Sequence, residues 1–162
     1  MDFPLDWIEA NILAASSIPT DMRAMSSLHS QGIRAIVSLT ERPIIGIMDI
    51  TAKAVDMLDI IYLHSPIPDG FAPNMGQAAS ILNFVDEMTG RKRPTFIHCH
   101  AGIGRTGTML HAYYLWYGFD LEQAKKLVRA RRPACAFGIL SDTQREFLHE
   151  FARAHHESKP VK

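Results

Sequence analysis

Long apolar runs are missing from this 162-residue chain; no stretch approaches the roughly 20 residues a membrane-spanning helix needs. Cysteine is scarce. Two residues, Cys99 and Cys135, cannot build the disulfide framework of a small secreted domain. Net charge is lacking too, since 17 cationic and 17 anionic side chains cancel, whereas a general nucleic-acid binder usually has a domain pI above about 9. Asp2, Asp6 and Glu9 stand where a secretory signal would need a basic segment and a long apolar run. Repeats and low-complexity blocks do not occur. These absences set the expectation of a cytoplasmic monomer that engages neither nucleic acid nor membrane.

What is present is the composition of an ordinary globule, 47% hydrophobic and 21% charged. The length suits one domain, expected over residues 1–154, with residues 155–162 as a flexible tail. Before the tail, short β-rich runs alternate with helical patterns. Strands are expected near Ile12–Ala14, Ile33–Leu39, Ile60–Leu63 and Pro94–His98. Helices are expected from a cap at Thr20 or Asp21 to a stop at Gly32, over 49–58, and over 74–90, where Ile81, Leu82, Phe84, Val85 and Met88 recur at helical spacing. Beyond residue 104 only helices are apparent, near 105–117, 121–131 and 141–154. The pattern predicts an α/β fold: a central, largely parallel β-sheet flanked by helices, with a helix-rich C-terminal half. In such sheets ligands bind at the carboxyl ends of strands.

At the end of the strand over 94–98 stands His98-Cys99-His100-Ala101-Gly102-Ile103-Gly104-Arg105-Thr106-Gly107. Its glycines let the backbone curl so that successive amides face one point, and the helix that follows adds the positive end of its dipole. Phosphate suits such a concavity. Arg105 offers a planar fork of donors to two phosphate oxygens, and Cys99 faces the same point in surroundings that favour an anionic nucleophile. Thr106 stands in the first turn of the helix that follows. With this composition, His-Cys-x5-Arg followed by Ser or Thr arises by chance roughly 0.0007 times, so the signal is specific.

At these residues the sequence resembles the cysteine-based protein tyrosine and dual-specificity phosphatases, most of all their small single-domain atypical members. The likeness extends to Val37-Ser38-Leu39-Thr40-Glu41-Arg42, to Ile67-Pro68-Asp69 and to Arg131-Arg132-Pro133. The resemblance implies that Asp69 is the general acid, and that Gln144 helps place the hydrolytic water. Leu140 departs from the acidic residue of some close relatives. The expected catalytic set is therefore Cys99, Arg105, Asp69, Thr106 and Gln144, with the phosphate held by His100, Ala101, Gly102, Ile103, Gly104 and Arg105. Glu41 and Asp142 are the other carboxylates that the resemblance brings near the loop mouth. A phosphorylated protein or peptide is the expected substrate, phosphotyrosine with some phosphoserine and phosphothreonine, cleaved through a phosphocysteine intermediate without cofactor or metal. Adjacent His98, Cys99 and His100 point to opposite faces of an extended strand, which argues against a metal site.

Other readings stay open on these residues. Asp69 in Pro-Asp-Gly also reads as a plain turn residue. Cys135 reads as core, or as a partner for an oxidised Cys99. Lys125, Lys126, Arg129, Arg131 and Arg132 read first as a solvated face, favoured by a helix carboxyl end. Alternatives to a protein phosphatase are a phosphoinositide or small phosphomonoester phosphatase, disfavoured by His100 and Ile103 where lipid-directed loops often carry lysine, and a non-catalytic phosphate-binding module, disfavoured by intact Cys99 and Arg105. A sulfurtransferase would usually have another loop length and no upstream acid.

Overall fold

The computed structural model describes residues 1–158. Strands β1 (Asp6–Glu9), β2 (Leu13–Ser16), β3 (Ala35–Ser38), β4 (Ile61–His64) and β5 (Thr95–His98) form one sheet in the order β1-β2-β5-β3-β4. Four strands run parallel, and β1 lies antiparallel on β2 at the edge. Helices α1 (Met22–Ser30), α2 (Ala52–Met57), α3 (Met75–Gly90), α4 (Gly104–Trp116), α5 (Leu121–Arg131) and α6 (Asp142–Ser158) surround it, with 3₁₀ turns at Pro133–Cys135 and Phe137–Ile139. The largely parallel α/β architecture is the one the sequence predicts.

Because successive strand residues face opposite sides, each strand feeds two cores. Ala14, Phe96 and Ile36, in register with Tyr62, cover one face and pack with Met25 and Leu28 of α1 and Val55 of α2. One residue further along, Ala15, Ile97 and Val37, in register with Leu63, face the other way. They pack with Ile81 and Val85 of α3, Met109 and Leu110 of α4 and Leu148 of α6. The next row in register is Ser16, His98, Ser38 and His64, the carboxyl rim of all four parallel strands. The chemistry sits on that rim.

Helix starts follow local capping. The side chains of Asp21, Thr51, Asn74 and Asp120 accept from backbone N–H groups three residues on, opening α1, α2, α3 and α5. Asp120 and Gln123 complete a reciprocal capping box. Ile103, the residue before α4, provides no side-chain cap.

Three boundaries differ from the sequence reading. β1 is not anticipated, because Asp-Trp-Ile-Glu has charge at both ends and one fully buried residue, Ile8; pairing with β2 makes it a strand. α2 starts at Ala52 rather than 49, since Thr51 is its cap. α6 continues through 155–158, where the tail was expected, and the His155 ring stacks on Phe151 with centroids 4.1 Å apart. Residues 159–162 of that expected tail lie outside the described residues. Among the described residues no helix is long and apolar enough to cross a membrane.

Candidate active site

His98 closes β5 fully buried. Its Nδ1 donates to the Cys99 carbonyl at 2.8 Å, so Nε2 is the acceptor for the Ser38 hydroxyl at 2.6 Å. Burial holds this ring neutral, with its pKa lowered to about 4. Cys99 follows, 3% exposed, and receives the Thr106 hydroxyl on its sulfur at 3.1 Å.

The loop from Cys99 to Ile103 is held from behind by its carbonyls. The Cys99 carbonyl takes His98 Nδ1, the His100 carbonyl takes the Ile18 N–H at 3.0 Å, and the Gly102 carbonyl takes Arg132 Nε at 3.0 Å and Nη2 at 2.9 Å. In a trans peptide the C=O and the next residue's N–H point in opposite directions. The N–H groups of His100, Ala101 and Ile103 therefore turn toward the inner side of the loop. Gly102 has φ +71°, and a Cβ there would stand 2.2 Å from the Ser16 carbonyl oxygen. Only glycine lets the loop rest on the end of β2. With α4 uncapped by any side chain, the orphan N–H groups of its first turn add to the same donor array.

Arg105 is 4% exposed and aimed by its neighbours. Nη1 donates to the Ile67 carbonyl at 2.9 Å and to the Glu41 carboxylate. Nε is buried without a hydrogen-bond partner among the described residues, and Nη2 has the Asp69 carboxylate at 3.5 Å. Nε and Nη2 share one edge of the guanidinium, the edge that grips two oxygens of an oxyanion. Glu41 is exposed, and its carboxyl is held below the ordinary range by its own backbone amide and then by Arg105.

Asp69 lies on the loop Ile67–Phe71, largely exposed, with its carboxylate toward Arg105. That loop is tied to the start of α6: the Ser141 hydroxyl donates to the Gly70 carbonyl at 2.7 Å, and Gln144 Nε2 donates to the Phe71 carbonyl at 3.2 Å. Gln144 is 1% exposed, and its Oε1 accepts from the Ser141 N–H. Its Nε2 also stands 3.1 Å from where a Cβ on Gly104 would be, so both loops meet at this amide. Leu140 packs over Gly107, beside the Cβ and backbone carbonyl of Cys135. Asp142 pairs with Arg145 instead of reaching the loop.

The structure thus gathers Cys99, Arg105, Thr106, Asp69 and Gln144 with the loop His100–Gly104. It corrects the reading of the basic stretch at one position: Arg132 bonds Gly102 and Asp6 and is drawn inward, whereas Arg131 donates to the Ile8 carbonyl but stays exposed. Cys135 is buried behind the loop with Sγ 3.3 Å from the Gly102 carbonyl, and burial pushes its pKa up to about 11. Its sequence neighbours gave no sign of this, because the contact spans 33 positions. Among the described residues no group of three or more His, Cys, Asp or Glu gathers that could hold a metal ion.

A mostly parallel sheet whose strand ends in a Cys-x5-Arg loop, with a buried thiol at its start and a buried arginine opening the next helix, defines the cysteine-dependent tyrosine and dual-specificity phosphatases. The family model described as Tc-R-P, polymorphic toxin system, DSP-PTPase phosphatase, matches residues 14–119, and the chain belongs to that family. The cyclin-dependent kinase inhibitor 3 of Sus scrofa is 32% identical over 93 residues, 57% of this chain and 43% of that protein. The tyrosine-protein phosphatase cdcA of Emericella nidulans is 30% identical over 101 residues, 61% of this chain and 16% of that protein. The match therefore spans less than half the length of these relatives. Among solved structures, Tk-PTP in the active form superposes with a TM-score of 0.79 at 27% identity, covering 92% of this chain and 96% of its own. PTPMT1 has a TM-score of 0.80 at 17% identity, covering 94% and 96%, a likeness of fold.

Proposed function

We propose that this chain is a metal-independent phosphoprotein phosphatase that works as a single monomeric domain, hydrolysing phosphotyrosine first and phosphoserine or phosphothreonine to a lesser degree. The observation that carries the reading is Arg105: one terminal nitrogen is anchored to Ile67 and Glu41, while its Nε is buried without a hydrogen-bond partner among the described residues and its Nη2 lies 3.5 Å from Asp69. That is a preset clamp for a phosphoryl group beside a buried thiol.

In this mechanism the Cys99 thiolate attacks phosphorus in line, the P–O bond to the substrate breaks, and Asp69 protonates the departing oxygen. The amides of the loop and Arg105 hold the three equatorial oxygens as charge spreads over them. Water then attacks the phosphocysteine, Asp69 takes its proton, and the S–P bond breaks to return the thiolate, which the Thr106 hydroxyl stabilises. Gln144 positions the water from the meeting point of the two loops. Glu41 acts on substrate only through the orientation of Arg105. The similarity to a tyrosine-protein phosphatase and to a dual specificity protein phosphatase, each over more than half of the chain, supports a protein substrate. His100 and Ile103, with no lysine in the loop, weigh against an inositol phosphate.

The test is Cys99→Ser assayed beside the wild type on phosphotyrosine, phosphoserine and phosphoinositide substrates. The expected result is wild-type turnover greatest on the phosphotyrosine peptide, with none in C99S, while C99S keeps its affinity for the phosphopeptide. Steady-state turnover by C99S would remove the covalent mechanism, and a wild type that prefers the phosphoinositide would replace the protein substrate.

A further inference from the structure

The Gly102 carbonyl is the most heavily gripped group in the loop. It accepts Arg132 Nε and Nη2 together, and Cys135 Sγ approaches at 3.3 Å. Arg132, itself mostly buried, is held in turn through Nη1 by the Asp6 carboxylate at 2.7 Å. Asp6 opens β1 and pairs in register with Ala15, one residue before the Ser16 carbonyl that abuts Gly102. Arg131, the preceding residue, bonds the Ile8 carbonyl on the same strand, so the end of α5 is sewn to β1 at two points. Edge strand, helix end and loop centre thus meet at one cation.

We propose that Arg132, aimed by Asp6, is a positioning residue for the phosphate loop: its fork fixes the peptide plane between Gly102 and Ile103 and so turns the Ile103 N–H toward the bound phosphoryl group. This inference rests on the phosphatase reading above. Two physical effects join in it. A bidentate grip on a carbonyl restrains rotation of that peptide, which a single donor would not do. A guanidinium bonded to the loop's outer side also polarises the Gly102–Ile103 amide, because its positive charge draws on the carbonyl oxygen and strengthens the N–H as a donor. The Asp6 carboxylate keeps the guanidinium from swinging away to solvent. Arg132 touches neither substrate nor the reacting atoms.

Kinetics and vanadate inhibition of Arg132→Ala, Arg132→Lys and Asp6→Asn separate this role from a merely structural one. Losing charge-assisted hydrogen bonds of this kind costs on the order of tenfold or more in affinity. R132A is therefore expected to raise the inhibition constant for vanadate and the KM for a phosphotyrosine peptide by about that factor, in protein shown by circular dichroism and thermal melting to be folded. R132K keeps the charge but not the fork, so it should recover only part of the loss. D6N leaves Arg132 in place without its anchor, and should shift the vanadate constant in the same direction by about twofold to fivefold. Folded R132A with vanadate and KM values within twofold of wild type would overturn the proposal, even if its melting temperature falls, since that is the signature of a purely structural arginine. If neither Arg132 variant folds, D6N decides: an unchanged vanadate constant overturns the proposal. A wild type that binds vanadate but hydrolyses no phosphoester would overturn the enzymatic reading alone, with vanadate affinity still testing the loop.

Discussion

Acid should unfold this protein earlier than its carboxylates alone would require, because two histidines are buried neutral. His98 and His111 are both fully buried, and burial lowers the pKa of each to about 4. His111 donates from Nδ1 to the Gly107 carbonyl at 2.6 Å and leaves Nε2 buried without a hydrogen-bond partner among the described residues. In the unfolded chain both rings return to a pKa near 6.5. Between that value and 4 the unfolded state binds the extra proton, so stability falls as pH falls, beginning near 6.5 and completing near 4. For one such histidine the loss between pH 7 and pH 5 comes to about 2 kcal/mol, and for the pair to roughly 4 kcal/mol. Against a typical total of about 5–15 kcal/mol that is a large fraction. Urea unfolding at pH 7 and pH 5 measures it directly. His111→Phe removes one titration, and the Gly107 carbonyl keeps its place within α4, so the variant should lose about 2 kcal/mol less than wild type over the same interval. Equal losses in wild type and H111F would refute the argument.

Three further outcomes are expected. Asp69→Ala should lower kcat on a phosphotyrosine peptide by about 10² to 10⁴, the usual worth of a general acid, and by clearly less on an aryl phosphate with an acidic phenol; equal losses on both substrates would make Asp69 a turn residue. Gly102→Ala sets a Cβ 2.2 Å from the Ser16 carbonyl oxygen and must push the loop by about 1 Å, so kcat/KM should fall on the order of 10²-fold; a near-normal value would show that the loop does not need this seat. Arg105→Lys keeps the charge and loses the fork, and should raise KM and lower kcat together, so a lysine variant with wild-type kinetics would show that charge alone suffices.

Most of the parallel sheet was legible because three of its four strands lie in short apolar runs that carry β-branched residues and are bounded by turn residues. Ala35–Ser38, Ile61–His64 and Thr95–His98 all fall within the expected runs or one residue past them. α5 falls on the expected 121–131, and the structure adds the capping box of Asp120 and Gln123 at its start. β1 was not legible. Asp6, Trp7 and Glu9 are only partly buried, so the strand has no hydrophobic pattern of its own and exists because β2 offers it an edge.

The chemistry of the loop was determined by sequence alone, since everything it needs lies within ten residues: a strand end, a cysteine, glycines for curvature, and an arginine opening a helix. Local backbone geometry brings such groups together wherever the motif folds. What only the tertiary structure decided is how the loop is held and aimed. Arg105 takes its orientation from Glu41, 64 positions away, and Gly102 takes its restraint from Arg132 and, beyond it, from Asp6, 126 positions from that arginine. Gln144 meets the Asp69 loop across 73 positions. Pairings of that span depend on which strand edge and which helix end come to rest beside each other, and that is settled by burying two opposite faces of one sheet, not by any pattern along the chain.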